Sequence, residues 1–150
     1  MPQILEVHRE NFTISTDPVR LDADAVAEML RRAYWAQGRP RERVDRALAN
    51  SLVFGLYDGE KQIGLARVVS DYAIFAYVCD VFIHEDYRAQ GLGKWLMQTV
   101  HSHPDLQGLR RWALVTRDAH ELYRQFGWEM LASPDSWMEI LTPFQGEGRD

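Results

Sequence analysis

The spacing of apolar side chains along the chain changes period several times, and each change predicts an element. Asn11–Ser15 (NFTIS) alternates with a period of two, as a half-buried strand does. After Asp17-Pro18, apolar positions recur as Ala23, Val26, Ala27, Leu30 and Ala33, a helical stripe. Asp22 or Asp24 can cap that helix, and Gly38 and Pro40 close it. Arg41 to about Asn50 predicts a second, short helix with Val44, Ala47 and Leu48 inward. Ser51–Tyr57 and Gln62–Ser70 read as strands, and Asp58-Gly59 between them suits the tight turn of a hairpin. Ala73–Ile83 is almost wholly apolar, which predicts a strand buried on both faces. A helix opens beyond it with the stripe Leu92, Trp95, Leu96, Thr99 and Val100. Arg111–Thr116 predicts a strand, and Asp118–Phe126 a helix with Ala119, Leu122, Tyr123 and Phe126 on one face. Ser136–Leu141 predicts a last strand, and Thr142–Asp150 is expected to fray. The mixture is α/β, and with no repeat or linker in view it is expected to be one domain over residues 1–150.

Composition narrows the function classes. With 46% hydrophobic and 26% charged residues, the chain has an ordinary globular mix and supports a packed core. A net charge of -5 argues against a chain-wide grip on nucleic acid or anionic lipid. No apolar run approaches the ~20 residues that span a bilayer. The first residues also lack the basic-then-apolar pattern of a secretory leader. A cytoplasmic protein with no nucleic-acid or membrane partner is therefore expected. One cysteine, Cys79, can form neither an internal disulfide nor a cysteine-rich zinc site. His101 and His103 fall where a helix ends, with no acidic cluster beside them, so no metal is expected. Six arginines against Glu42 and Asp45 between Arg31 and Arg46 form either a solvated helix face or an attraction for an anionic acceptor.

The most informative stretch is Arg88–Trp95 (RAQGLGKW), between the buried strand and an amphipathic helix. A helix N-terminus carries unpaired N–H groups and partial positive charge. Glycines at 91 and 93 let several of those groups turn toward one phosphate cluster, with Arg88 and Lys94 at the rim. A Walker loop fails because Arg88 and Trp95 stand where it needs glycine and Ser or Thr. A dinucleotide fingerprint fails because Leu96 stands at its third glycine.

The pattern Arg-x-x-Gly-x-Gly, Arg88 to Gly93, resembles the acetyl-CoA pyrophosphate loop of the GNAT (Gcn5-related) N-acetyltransferase family. Asp80–Val100 around it is similar to that family's strand–loop–helix core. Thr116–Trp128, with Leu122-Tyr123 ahead of Phe126-Gly127, resembles its second signature. The resemblance runs from about Ser51 to Trp128 and implies a twisted mixed sheet with helices on both faces. It also implies a V-shaped gap between the Ala73–Ile83 and Arg111–Thr116 strands.

By that resemblance, backbone N–H groups of Ala89, Gln90, Gly91, Leu92, Gly93 and Lys94 hold the diphosphate of acetyl-CoA, with Arg88 beside them. The alternative is a tight strand–helix turn without a ligand. The pantetheine arm is expected along the main chain of Val81, Phe82 and Ile83, in the manner of strand addition. Thr116 stands where the family frequently has Asn, as a cofactor contact. Tyr123 matches the residue that protonates the departing CoA thiolate, against the alternative of a core tyrosine on an apolar stripe. Cys79 occupies a place where related enzymes often carry a Glu base. The neighbouring Asp80 is then a candidate base or water-orienting group, or a capping or salt-bridge partner, for instance of Arg67. The acceptor pocket is expected from Tyr34, Trp35, Arg67, Asp71, Tyr72 and Phe75.

The expected reaction is transfer of acetyl from acetyl-CoA to a primary amine by direct attack through a tetrahedral intermediate. The acceptor is a small-molecule or peptide amine, and a homodimer is left open. A non-catalytic acyl-CoA-binding or interaction module on the same fold is the alternative, and a nucleotide-binding α/β protein a third.

Overall fold

The structure, a computed structural model, describes residues 2–147. Six strands form one sheet in sequence order. They are β1 (Glu6–Arg9), β2 (Phe12–Ser15), β3 (Leu52–Asp58), β4 (Lys61–Ser70), β5 (Phe75–Ile83) and β6 (Arg111–Leu114). Neighbours are antiparallel except β5 and β6, which run parallel because α3 (Leu92–Ser102) connects them. α1 (Ala23–Arg31) and α2 (Arg41–Ala49) cover one face of the sheet, and α3 packs on the other with α4 (His120–Arg124) alongside it. A mixed sheet with helices on both faces is the architecture expected from the sequence.

Local chemistry accounts for the element ends. Asp22 caps α1 by accepting the Ala25 N–H at 3.0 Å. Gly59, at φ +58, makes the β3–β4 turn. The helix α1 stops at Arg31, earlier than Gly38 and Pro40 imply, and Tyr34–Ala36 form a separate 3-10 turn. The strand β1 was not anticipated, because Glu-Val-His-Arg has only one apolar residue and is held by pairing with β2.

Two cores lie on opposite faces. One joins Phe54, Leu56, Ile63 and Val78 to Leu92, Trp95, Leu96 and Val100 of α3. The other joins Val53, Leu65 and Phe82 to Val26, Leu30, Val44 and Leu48 of the first two helices. Burying each large apolar side chain contributes about 1.5–3 kcal/mol. A bulge in β5 switches which of its positions serve each core. The register jumps from Leu65↔Phe82 to Arg67↔Cys79, and Asp80 takes φ +51. Ala76 and Val78 therefore face α3, whereas Phe82 faces α1 and α2.

The C-terminal region departs most from expectation. Ser136–Leu141 forms no strand; Met138 and Ile140 are 96% and 98% exposed. Alternation confers strand propensity, but a strand needs a partner edge, and this segment pairs with none although Trp137 lies under the Arg111 guanidinium of β6 at 5.1 Å. The following residues are largely exposed but make specific contacts. Phe144 enters a cleft beside Arg67, and the Gln145–Glu147 backbone lies against Gly38. A Cβ at Gly38 would stand 2.6 Å from the Gln145 carbonyl, and Gly38 has φ +75, so space and conformation both require glycine. Residues 148–150 of the expected frayed tail lie outside the described residues.

Candidate active site

Only the first four residues of β5, Phe75–Val78, pair with β6. Beyond Val78 the β5 edge has no strand on that side, while its other edge stays bonded to β4 as far as Ile83. The unpaired edge runs to the end of β5, a few residues ahead of the glycine turn. Tyr34 reaches across to the loop after β6: its hydroxyl accepts the Arg117 N–H at 3.2 Å, and the Arg117 guanidinium lies 3.7 Å from its ring centroid.

The turn itself is exposed over Arg88–Gly91. Ala89 (φ +64) and Gly91 (φ +79) both adopt the left-handed conformation, and no side chain caps α3. The N–H groups at the start of α3 are therefore free of side-chain acceptors. A Cβ on Gly91 or Gly93 would meet nothing within 4 Å, so the space in front of the turn is open. Lys94 is exposed beside it. Arg88 is anchored differently from a free rim charge: its Nε donates to the Ile83 carbonyl at 2.9 Å and its guanidinium lies over Phe82.

Asp80 sits at the bulge, 4% exposed, with both carboxylate oxygens engaged. Oδ1 accepts from Trp35 Nε1 at 2.8 Å, and Oδ2 accepts from Arg39 at 2.9 Å and Arg67 Nε at 2.7 Å. Burial pushes its carboxyl up, but the Arg39 and Arg67 guanidiniums outweigh burial and hold it below the ordinary range. A base needs an accessible lone pair and a pKa near working pH. Asp80 is buried, bonded through three of its roughly four acceptor sites and held below the ordinary range, and of its expected alternatives the geometry matches the salt bridge to Arg67. Arg39 is the member of this cluster that the sequence reading missed; an arginine beside Pro40 carried no signal of its own.

Cys79 stands opposite Arg67 in the β4–β5 register. Burial pushes its thiol up to about 11, so it is a neutral thiol at working pH rather than an acyl-carrying nucleophile. Alkylation by iodoacetamide at pH 8 is expected to run about 100-fold or more slower than that of free cysteine, whose pKa is ~8.5. A rate close to free cysteine in the folded protein would show a thiolate there.

Tyr123, on α4, is 7% exposed and packs near Trp128 with ring centroids 5.9 Å apart. Burial, reinforced by Tyr34 and Asp118, pushes its phenol up to about 12. Tyr34 is thus near enough to Tyr123 to act on its phenol, although 89 positions separate their numbers. Among the described residues the Tyr123 hydroxyl makes no hydrogen bond, and it is not an orphaned buried atom; Tyr57 alone has that status. Thr116 instead turns locally, accepting the Ala119 N–H at 3.0 Å.

The expected acceptor residues divide into two groups. Trp35 and Arg67 meet at Asp80, and Tyr34 packs edge-to-face on Trp35 with centroids 5.1 Å apart. Asp71, Tyr72 and Phe75 lie at the opposite end of β5. Asp71 accepts three backbone N–H groups, with Ile74 and Ala73 foremost, which hold its carboxyl below the ordinary range and make it a turn residue. Phase and distance separate Phe75 from Asp80: five residues of strand span about 17 Å. His101 and His103 also have other partners. His101 Nε2 accepts from Trp128 Nε1 at 3.0 Å, and His103 bridges the Gln3 carbonyl and the Asp105 N–H.

Comparison with known proteins agrees with this architecture. The family profile described as "Acetyltransferase (GNAT) domain" matches residues 49–130. An uncharacterized N-acetyltransferase, ycf52-like, of Prochlorococcus marinus is 33% identical over 128 residues, covering 81% of this chain and 71% of the relative. The crystal structure of the GNAT-family protein xcc2953 from Xanthomonas campestris superposes with a TM-score of 0.85 at 44% identity, covering 88% of this chain and 94% of that one. A GNAT family acetyltransferase from Elizabethkingia anophelis, solved with acetyl-CoA bound, shares the fold at 14% identity, with a TM-score of 0.64 and 90% of each chain covered. A β5 edge left open past Val78, a glycine turn feeding α3 and these matches lead to one assignment: the chain belongs to the GNAT acetyltransferase family.

Proposed function

We propose that the chain, acting as one domain, transfers acetyl from acetyl-CoA to a primary amine held on the α1/α2 side of the gap. The observation that carries this reading is the free edge of β5 beyond Val78, which leads directly to the open turn at Ala89–Lys94. The donor set fits a diphosphate: left-handed residues at 89 and 91, uncapped N–H groups opening α3, and no Cβ in front of them. When bound there, acetyl-CoA supplies an activated acetyl thioester.

The chain's own groups orient and polarise. Main-chain groups of Val81, Phe82 and Ile83 align the pantetheine arm as an added strand, and a backbone N–H on that edge can hold an oxyanion. Tyr123 donates its phenolic hydrogen to the departing sulfur. Thiols ionise near 8.5, well below a phenol at about 12, so Tyr123 stabilises the thiolate chiefly by hydrogen bonding. Asp80 positions rather than abstracts: it fixes Trp35, Arg39 and Arg67 along the acceptor wall, and the amine yields its proton to water.

Gly93→Ala separates a ligand contact from a structural glycine. Gly93 has neither a positive φ nor a neighbour for its Cβ, so Tm is expected to hold or rise slightly. Acetyl-CoA affinity measured by calorimetry is expected to fall tenfold or more. Undiminished affinity would move the diphosphate away from this turn, and no binding to folded wild-type protein would overturn the transferase reading. Because Asp80 is tied up, a non-catalytic acyl-CoA-binding module is a second reading. Thiol release from acetyl-CoA with an amine panel distinguishes the two.

A further inference from the structure

Four guanidiniums line one cleft beside the gap, and the transferase reading has no task for two of them. The cleft lies between α2 and the C-terminal segment, has a volume of about 410 Å³, and is lined by Arg39, Arg43, Arg46, Asn50, Arg67 and Phe144. Its inner wall is Arg67, which bonds Asp80 at 2.7 Å and stands opposite Cys79, where the free β5 edge starts. Its outer wall is α2. Arg43, Arg46 and Asn50 are spaced i, i+3 and i+7, one face of that helix, while Val44 and Leu48 face the core.

Charge in the cleft is unbalanced. Asp80 is shared by two arginines, both mostly buried, so one positive charge there is uncompensated. Arg43 has only the exposed Glu42 at 3.8 Å, and Arg46 makes no ion pair among the described residues. Arg41, which points elsewhere, is by contrast doubly paired with Asp24 and Asp45. Glu147 is turned onto the Phe144 N–H at 2.7 Å, and counting it still leaves an excess of positive charge. Guanidiniums matched to no carboxylate and arrayed around a cleft suit a planar carboxylate or a phosphate monoester.

We infer that the acceptor is an amine bearing an anionic group, which Arg43 and Arg46 hold at the outer end of this cleft while the amine points past Arg67 toward the β5 edge. This rests on the transferase reading and deepens it. The shared chemistry is the anion, either carboxylate or phosphate monoester.

Two matched pairs test this: β-alanine with its amide, and 2-aminoethyl phosphate with ethanolamine. Thiol release is followed at saturating acetyl-CoA and low ionic strength, where exposed charges are least screened. The anionic member of at least one pair is expected to show a kcat/KM tenfold or more above its neutral counterpart, and the responding pair identifies the anion. In the Arg43→Gln/Arg46→Gln double variant that ratio should fall to within about twofold, with the acetyl-CoA Kd unchanged. Calorimetry of both anionic amines into the CoA-bound protein provides an arm independent of turnover. Binding to wild type that is lost in the double variant supports the inference. No binding of either anionic amine, a preference for the neutral members, or a ratio indifferent to the double variant would overturn it. Failure of the transferase reading is distinct, since it appears as absent acetyl-CoA binding before any amine is added.

Discussion

Asp80→Ala is expected to lower folding stability by about 3–5 kcal/mol, because it leaves two guanidiniums buried without their counter-ion. The carboxylate is 4% exposed and accepts from Arg39, Arg67 and Trp35, so three donors lose their acceptor at once. Alanine also fits the left-handed backbone at φ +51 less well than aspartate, which adds to the loss. Asp80→Asn separates these effects: it keeps an oxygen for Trp35 and tolerates the backbone, but removes the charge. A smaller loss than for alanine is expected. The pH dependence has a definite sign. The folded carboxyl lies below its ordinary value, so its contribution is present above the unfolded pKa near 3.9 and is lost as pH falls through the folded value. Urea unfolding at pH 7 and along an acid series checks both points. A loss under 1 kcal/mol for Asp80→Ala at pH 7 would show that the cluster relaxes to solvent.

Tyr123→Phe is expected to reduce kcat by about 10²–10⁴-fold, the range typical of a positioned acid or hydrogen-bond donor. Its ring is buried beside Trp128, and phenylalanine preserves that packing. Because the hydroxyl has no hydrogen-bond partner among the described residues, unfolding stability should move little. Acetyl-CoA affinity should stay within about twofold, since binding rests on the turn and the β5 edge. With the phenol at about 12, its protonated form persists through any practical pH. Wild type should therefore rise in rate as the acceptor amine deprotonates and show no falling alkaline limb below pH 10. The variant should trace the same curve at a lower level. Single-turnover rates at saturating substrates that match wild type would return Tyr123 to the core.

Much of this was legible in the sequence, for reasons tied to particular residues. The run Phe75–Ile83 and the stripe from Leu92 to Val100 gave clear periods, and Gly91 stands at the left-handed cap of α3. Asp22 was readable as a cap because a short oxygen ahead of an apolar stripe has one common use. The bulge at Asp80 was not, since one extra residue in an apolar run leaves no change of period that composition can show. Nor was Arg39, whose partner lies 41 positions away. Asp71 misled in the other direction: an acid beside two aromatics resembles a pocket, yet its carboxylate is consumed by the turn it starts. Ser136–Leu141 shows the limit of alternation, because pairing is decided by where the chain goes next. Here Phe144 and Gly38 take it to α2.

The bulge has a consequence for how such a protein can change. Because the bulge shifts the alternation of β5, Ala76 and Val78 before it face α3, as do Val81 and Ile83 beyond it, whereas Phe82 faces α1 and α2, and the two cores meet only through the sheet between them. Outward-facing side chains on α2, such as Arg43 and Arg46, can be exchanged without touching the core that includes Phe82, on which Arg88 of the glycine turn rests. On the proposed reading, donor grip and acceptor choice then lie on different layers, so one sheet would keep its carrier while its clientele is rewritten on the outer face of a single nine-residue helix.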